Sequence, residues 1–389
     1  MTIESNSPML KDITVIDLSS VVFGPYCTQI LADLGADVTK VEAPHGDAFR
    51  YSSKWVKEVG MSAGHMTLNR GKKSVVLDLK TDDDLKVMRK LLQDADVFVH
   101  NVRHKGIARL GLDYETVKEI NPGIIYVHCV GFGSSGPYAD YQAYDDVIQA
   151  MTGTATLLSR ADGDERPRYL PSLIADKSAG LHAAYATMAA IIHKLRTGEG
   201  QFVEVPMFEA FAHFMLKEHL SGKTFEPPVG PICYARQVDP DRQPFPTANG
   251  HVSIVPYTDE AWGTLYEAIG GGDFMEDERF STRKGRTRHL AELYQGIAQY
   301  TKLKTTEELV QLLNSKNIPC FPVVDIDQIL DDPHLSEVGF FTKREHPTEG
   351  TFYEMREPST FSEWQGDLPS PAPTIGQHTD EVKADVADR

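Results

Sequence analysis

The sequence predicts an α/β protein with a large domain on an open, Rossmann-like parallel sheet and a smaller α+β domain. Strand-like and helix-like segments alternate up to about Phe225, an order typical of parallel sheets. The chain has 389 residues, more than a single hydrophobic core usually takes. Its composition changes near Phe225, where the Pro- and Gly-rich run 226–231 predicts a linker.

We therefore divide the chain into three segments. Residues 1–225 form the first part of the large domain, and residues 226–332 form the small domain with its linker. Residues 333–389 return to complete the large domain. A second linker follows Asp332-Pro333, so two connections join the domains.

The first repeating unit is a strand, a helix and a strand. The β-branched run from Ile13 to Leu18 predicts a buried strand, and Gly24-Pro25 opens a helix that ends near Leu34. Val38 to Glu42 predicts the second strand. The turn from Ser19 to Pro25 lacks G-x-G-x-x-G, so dinucleotide binding is not expected.

Similar segments continue along the chain. The large domain is predicted to contain strands 75–79, 97–100 and 124–130 and helices 82–93, 114–120 and 144–151. The small domain is predicted to contain a hairpin at 247–255, helices 260–269, 287–300 and 305–315, and a strand-like run at 318–324. Strand-like runs at 340–344 and 350–355 follow.

The stretch from Pro171 to Ala210 contains one isolated carboxylate, Asp176, before a predicted helix from Ser178 to Arg196. Apolar residues at helical spacing predict one broad buried face on this helix: Leu181, Ala184, Tyr185, Met188, Ala189, Ile191 and Ile192. Gly198 is placed to end it in a left-handed conformation. Asp176 is either a helix N-cap or a nucleophilic carboxylate, and this stretch alone leaves both open.

Composition excludes several classes of protein. A formal net charge of −17 argues against a general binder of nucleic acid or anionic membranes. Apolar and charged contents of 41% and 24% are ordinary for a globular protein. No secretory signal or membrane-length apolar run is present, so we expect a cytoplasmic protein. The four widely spaced cysteines predict buried thiols, and no Cys/His spacing indicates zinc, so no metal is expected.

Short sequence blocks in a fixed order connect nearly the whole chain to a known family. These blocks are Leu34-Gly35-Ala36-Asp37, Pro44-His45-Gly46-Asp47, Asn69-Arg70-Gly71-Lys72, Arg109-Leu110-Gly111-Leu112, Gly131-Phe132-Gly133, Tyr144-Asp145, Thr197-Gly198-Glu199-Gly200-Gln201 and His378-Thr379-Asp380. With this order and spacing, the chain resembles the family III CoA transferases, which include formyl-CoA transferase and carnitine CoA-transferase.

The resemblance implies a mechanism. The family nucleophile is an aspartate before the TGxGQ turn, which corresponds to Asp176 in this sequence. An ordinary aspartate, with a pKa near ~3.9, is ionised at neutral pH and needs no general base. It would pass through a mixed anhydride and an aspartyl-CoA thioester. The acyl-CoA is a substrate together with a carboxylic acid, and no cofactor is permanently bound. The family also forms interlocked homodimers.

The resemblance further assigns two groups of residues. The expected CoA-binding residues are Ser20, Val21, Arg70, Lys72, Lys73, Asn101, Arg103 and Arg109. The expected oxyanion or acyl-pocket residues are Val22, Phe23, Gly64, His65, Phe132, Gly133 and Tyr144.

Departures from the family pattern lie in the pocket group and directly after Arg103. Val22 and Gly133 replace a glutamine and a glutamate of formyl-CoA transferase, and Gly64 replaces a family tyrosine, which argues against formyl/oxalate exchange. His104 and Lys105 replace the proline and glycine common after Arg103.

Three alternatives remain open on the sequence alone. The first is an intramolecular CoA transferase acting on one dicarboxylic acid. The second is a 2-methylacyl-CoA racemase. The resemblance argues against this activity, because Tyr144 stands where racemases have a histidine before Asp145. The third is a CoA-binding protein without activity, against which an intact Asp176 argues.

Overall fold

A computed structural model of the protein describes residues 7–364 and 368–388. The chain divides into two compact units. The first contains the chain up to Thr154, Tyr169–Leu216 and the segment from His334 onward. The second contains Ala155–Arg168 and Lys217–Pro333.

The helices and strands are numbered in chain order. The helices are α1 (Phe23–Asp33), α2 (Ala63–Leu68), α3 (Asp82–Gln93), α4 (His104–Arg109), α5 (Tyr114–Ile120), α6 (Asp145–Met151), α7 (Leu157–Asp162), α8 (Ile174–Thr197), α9 (Met207–His219), α10 (Asp259–Ile269), α11 (Arg283–Arg288), α12 (Leu290–Thr301), α13 (Thr306–Ser315), α14 (Pro333–Glu337) and α15 (Thr379–Asp388). The strands are β1 (Thr14–Leu18), β2 (Asp37–Glu42), β3 (Lys72–Val76), β4 (Val97–His100), β5 (Ile125–Val130), β6 (Gln201–Pro206), β7 (Phe245–Pro246), β8 (His251–Ile254), β9 (Cys320–Pro322), β10 (Phe341–His346) and β11 (Gly350–Met355).

The first unit is built on a parallel six-stranded sheet in the order β3-β2-β1-β4-β5-β6. This confirms the predicted α/β class. Successive residues of a strand point to opposite faces, so each face has its own core. Val15 packs in one core with residues of α1 and α8, and Ile16 packs in the other with residues of α3 and α15. The order reverses between β1 and β4, which creates a crevice at the carboxyl ends of these strands.

One predicted strand is displaced along the chain. The sequence indicated residues 75–79, whereas β3 covers Lys72–Val76 because Lys72 pairs with Val38 of β2. The first residues of β3 are polar, so the sequence pattern did not indicate that the strand begins at Lys72. Helix α4, directly after β4, was not anticipated.

Helix α8 is longer than predicted, and its buried face is formed largely by residues other than the predicted ones. It ends at Thr197 with Gly198 left-handed at φ 80°, which confirms the predicted stop. The predicted apolar face is confirmed only in part: Ala184 and Ile191 are buried, whereas Leu181, Tyr185 and Ile192 are 50%, 54% and 56% exposed. Small residues form most of the buried face. A Cβ at Gly180 would lie 2.9 Å from Cδ1 of Tyr26, so only glycine permits this approach of α1.

The second unit contains a three-stranded antiparallel sheet in the order β7-β8-β9. The predicted hairpin is confirmed, with the backbone of Thr247 bonded to that of Gly250 across the turn. The predicted helix at 287–300 is divided into α11 and α12 at His289. A core that includes Trp262, Tyr266 and Phe280 holds these elements together. All four cysteines are free and buried, as predicted.

Buried charges are concentrated beneath the first strand-to-helix turn of the first unit. The Asp17 carboxylate accepts hydrogen bonds from Nζ of Lys72 at 3.2 Å and from Oγ1 of Thr28 at 2.5 Å. Nζ of Lys40 donates to the Ser19 carbonyl at 2.8 Å and pairs with Asp47 at 3.0 Å. Burial alone would raise the pKa of Asp17, but the ammonium groups of Lys72 and Lys40, together with hydrogen bonds from Ser19 and Thr28, outweigh burial and lower it.

We predict that Lys72→Ala destabilises the protein by about 3–5 kcal/mol, because it removes the direct ion-pair partner of the fully buried Asp17. Lys73→Ala is the matched control, since Lys73 pairs with Asp37 at the surface, where such pairs contribute less than about 1 kcal/mol. Guanidinium denaturation of both variants measures the difference. Equal losses of stability would contradict a structural role for the buried pair.

Candidate active site

Asp176 is the third residue of α8 and is 8% exposed. The N-cap interpretation of Asp176 is therefore wrong, because Leu173 occupies the cap position and Asp176 lies within the first turn. Within residues 7–364 and 368–388, the Asp176 carboxylate has no hydrogen-bond or ion-pair partner. A buried carboxylate without a structural partner is a candidate reactive group.

A second carboxylate, that of Asp145, supports the start of α8. Its Oδ2 accepts hydrogen bonds from the backbone N–H groups of Ala175 at 2.7 Å and Asp176 at 3.0 Å. Its Oδ1 accepts one from Nε2 of Gln149 at 2.6 Å. Asp145, itself the first residue of α6, thus supplies the side-chain cap that Leu173 cannot provide. Asp145 was not among the site residues predicted from the sequence, although it stands directly after the predicted Tyr144.

These surroundings change the acidity of Asp176. Burial, and next the negative charge of Asp145, raise the pKa of Asp176 to about 7. The expectation of an ordinary, fully ionised carboxylate is therefore corrected. Near neutral pH, the protonated and ionised forms of Asp176 coexist, and the ionised form is more basic than a solvated carboxylate.

The first loop, residues 19–22, lies at the reversal of strand order. The N–H of Ser20 donates to Oδ1 of Asn101 at 3.0 Å, and Nδ2 of Asn101 donates to the Ser20 carbonyl at 2.9 Å. The N–H of Val21 donates to Asp47 at 3.0 Å. Val21 has φ 70°, a left-handed conformation that is unfavourable for a β-branched residue and is often held at functional sites. Ser20, Val21 and Asn101 thus meet at this crevice.

Three expected acyl-pocket residues are buried in the core. Val22, Phe23 and Phe132 are 3%, 3% and 4% exposed. Phe23 and Phe132 belong to the same core as Ala175, next to Asp176. Phe23 and Phe132 are therefore part of the hydrophobic core to which the start of α8 also belongs.

The backbone of Gly133 is already occupied. Its N–H donates to Oε1 of Glu209 at 3.0 Å, so the predicted oxyanion role of this group is not compatible with the structure. A Cβ at Gly133 would lie 2.6 Å from the same oxygen. Glycine is therefore required at this position to accommodate the Glu209 carboxylate.

Gly64 and His65 are used for packing rather than for a pocket. A Cβ at Gly64 would lie 2.3 Å from the Phe49 ring. His65 is 1% exposed, and its two ring nitrogens contact the Pro373 carbonyl and the Asn69 amide. Burial, and next the nearby Arg50, lower the pKa of His65 to about 3, so the ring is neutral. These two pocket predictions are corrected.

Tyr144 differs from the other expected pocket residues because it is 63% exposed. It occupies the N-cap position of α6, directly before Asp145.

Two of the expected phosphate ligands are internal. Lys72 is 2% exposed and bonded to Asp17, and Arg70 is 6% exposed and paired with Asp33 at 2.5 Å. Neither is free to contact CoA, so these two predictions are corrected. Lys73 is partly exposed and paired with Asp37.

Arg103 and Arg109 are the remaining expected phosphate ligands. They lie at the two ends of α4 and are exposed. No ion pair is found for either guanidinium in the described part of the chain. Because α4 follows β4 directly, both residues lie at the carboxyl-end side of the sheet.

The chain matches the model of CoA-transferase family III over residues 10–379. This protein is a family III CoA-transferase. It is 31% identical to succinate–glutarate CoA-transferase of Agrobacterium fabrum, over 98% of this chain and 96% of that protein. It is 30% identical to formyl-CoA:oxalate CoA-transferase of Escherichia coli O157:H7, over 97% and 95%.

Solved structures support the same family. The CoA-transferase superposes on a CAIB/BAIF family protein from Brucella suis with a TM-score of 0.82 at 29% identity, covering 98% of this chain and 100% of that one. A hypothetical protein, Rv3272, from Mycobacterium tuberculosis gives 0.84 at 28% identity, covering 97% and 99%. No helix in the described ranges is long and apolar enough to cross a membrane.

We predict that Asp176→Asn makes the CoA-transferase more stable than the wild type above pH 7. The folded-state pKa of Asp176 is about 7 against an ordinary 3.8, so the folded wild type retains a proton that the unfolded chain releases. Wild-type stability therefore falls as pH rises from about 4 to about 7, by on the order of 2–4 kcal/mol. Unfolding free energies measured across this range should diverge between the two proteins, and parallel profiles would contradict the raised pKa.

Proposed function

We propose that this CoA-transferase moves CoA from an acyl-CoA to a free carboxylic acid through covalent intermediates on Asp176. The observation that carries the proposal is the buried Asp176 carboxylate, which lies in the first turn of α8 without a partner among the described residues. The positive end of the helix dipole favours negative charge at this position.

In the first half of the reaction, one oxygen of Asp176 attacks the thioester carbonyl, and the C–S bond breaks to release CoA thiolate. The product is a mixed anhydride. The thiolate then attacks the aspartyl carbonyl, which releases the donor acid as a carboxylate and leaves an aspartyl-CoA thioester.

In the second half, the acceptor carboxylate attacks the aspartyl-CoA thioester and again releases the thiolate. The thiolate attacks the acceptor's carbonyl, which gives the new acyl-CoA and restores the Asp176 carboxylate. Over the whole reaction, one acyl-CoA thioester is lost and one is formed, so the exchange requires no ATP. The raised pKa of Asp176 strengthens it as a nucleophile while leaving much of it ionised at neutral pH.

The CoA moiety is proposed to bind at the crevice where strand order reverses. Support comes from Ser20 and Val21, which line the turn after β1, and from Asn101, which bonds to that turn. Arg103 and Arg109 are exposed cations on the adjoining α4 and are suited to the phosphate groups.

We propose a short dicarboxylic acid as one substrate. Succinate, glutarate and oxalate appear in the names of the two relatives. Val22 and Gly133 differ from the formyl-CoA transferase pattern, which favours the longer acids over oxalate. An intramolecular transfer between two carboxylates of one acid uses the same steps and is the alternative.

A homodimer forms part of the proposal. Large apolar side chains on α8 support it, because Leu181, Tyr185 and Ile192 are at least half exposed and Leu195 is 74% exposed. Exposed apolar surface of this kind marks contact surfaces.

The racemase alternative is weaker. Both oxygens of Asp145 accept hydrogen bonds that hold α6 and α8, so Asp145 is not free to exchange protons with substrate. Tyr144, which precedes it, carries a phenol rather than an imidazole.

We predict that incubation with succinyl-CoA gives a covalent CoA adduct on the wild-type protein. Intact-mass spectrometry detects it, and hydroxylamine removes it because the link is a thioester. Asp176→Ala should give none, whereas Asp146→Asn, which changes an exposed neighbour of Asp145, should retain it. An adduct on Asp176→Ala, or none on any protein across a panel of acyl-CoA donors, would contradict the proposal.

We predict that Arg109→Ala raises KM for acyl-CoA by about tenfold or more with little change in kcat, because a charge-assisted phosphate contact is lost. Lys118→Ala is the control, since Lys118 is an exposed cation that lies over the Tyr114 ring on α5. Steady-state kinetics with varied acyl-CoA measures both. Equal effects of the two changes would remove Arg109 from the CoA site.

A further inference from the structure

A row of polar side chains crosses the parallel sheet of the first unit. His100 of β4 is paired in register with His128 of β5, and His128 is paired with Glu204 of β6. Register partners on neighbouring strands project from the same face. The rings of His100 and His128 stack with their centroids 4.2 Å apart. None of these residues takes part in the proposed CoA transfer.

His104, the first residue of α4, approaches this row from the adjoining helix. Its ring centroid lies 4.4 Å from that of His128, and its Nε2 lies 3.7 Å from Oε2 of Glu204. One candidate ligand atom from each of His104, His128 and Glu204 lies within 4.8 Å of the other two. Three separate elements thus bring two imidazoles and a carboxylate together.

Glu204 has one occupied oxygen and one without a hydrogen bond. Its Oε1 accepts hydrogen bonds from the N–H and Oγ of Ser134, at 3.0 and 3.1 Å. Its Oε2 is buried and has no hydrogen-bond partner in the described ranges. A buried carboxylate oxygen without a donor is unfavourable, and a bound cation would satisfy it.

His128 is held in a form suited to metal binding. Its Nε2 donates a hydrogen bond to the Val102 carbonyl at 2.9 Å, so Nδ1 has the free lone pair. Metal-binding histidines usually donate their other N–H to such an acceptor, which orients the ring.

We propose that His104, His128 and Glu204 bind one transition-metal ion of the zinc class, with solvent completing the coordination. Two imidazoles and one carboxylate form a ligand set that proteins use for Zn²⁺. Tetrahedral bonds of about 2.0–2.1 Å place ligand atoms roughly 3.4 Å apart. His104 and Glu204, at 3.7 Å, are close to that separation, and the three ligand atoms, within 4.8 Å of one another, would draw together around the ion. The ion would fix α4 against β5 and β6. This proposal differs from the expectation, drawn from the sequence, that no metal binds.

The proposal is tested on the full-length chain without an affinity tag. After dialysis against a chelator and then metal-free buffer, Zn²⁺ is titrated by calorimetry, and bound metal is counted by mass spectrometry of the digested protein. The expected stoichiometry is one Zn²⁺ per chain. Removing the supporting contact of a metal ligand typically weakens metal binding by about tenfold or more, and removing the ligand itself should weaken it at least as much. We therefore expect His104→Ala and Glu204→Gln each to weaken Zn²⁺ binding by about tenfold or more.

Lys105→Ala is the matched control, because Lys105 follows His104 and pairs with Asp140 at the surface. Its affinity for Zn²⁺ should equal that of the wild type. Co²⁺ gives a second readout, since tetrahedral coordination produces visible absorption bands that His104→Ala should lose. Circular dichroism checks the fold of each variant.

Two results would overturn the site: no stoichiometric Zn²⁺ on the wild type, or unchanged binding in both His104→Ala and Glu204→Gln. The first would leave His104 and Glu204 as neighbouring polar side chains that hold no ion. Neither result depends on CoA transfer, so failure of the metal site and failure of the proposed reaction are distinguishable.

Discussion

The start of α8 depends on two hydrogen bonds to a carboxylate from another helix. Leu173 cannot cap α8, and Asp145 accepts from the N–H groups of Ala175 and Asp176 instead. Burial, and next the same negative charge, raise the pKa of Asp176. One side chain therefore fixes where the candidate nucleophile lies and adds to how strongly it holds a proton. Asp145 thus acts on the candidate nucleophile through the backbone of α8.

The crevice at the reversal of strand order is held by a different kind of interaction. Asp47 bonds to the N–H of Val21 and also pairs with Lys40, while Lys72 satisfies Asp17 below. Breaking a buried pair of this kind costs about 3–5 kcal/mol, far more than a surface pair contributes. The hydrogen bond from the N–H of Val21 to Asp47 helps hold Val21 in its left-handed conformation, whose strain is on the order of 1–3 kcal/mol. Lys72, a basic residue that resembles a phosphate ligand in the sequence, is therefore part of the buried network that supports the crevice.

The alternation of strands and helices was sufficient to predict the parallel sheet, and Gly198 was sufficient to predict the end of α8. The buried face of α8 was not predictable, because hydrophobic spacing does not reveal that α1 approaches closely enough to exclude all but small side chains. Asp176 was found through the family pattern rather than through helix position. Asp145 and the row from His128 to Glu204 join residues from separate elements, and no local spacing indicates such contacts.

Glu209 fills the space beside Gly133. The N–H of Gly133 donates to Oε1 of Glu209, and a Cβ at Gly133 would lie 2.6 Å from the same oxygen. The carboxylate belongs to α9, whereas Gly133 lies in the loop after β5. A loop exchange that introduces a larger residue at position 133 would therefore displace the Glu209 carboxylate and break its hydrogen bond to the loop, unless position 209 is changed as well.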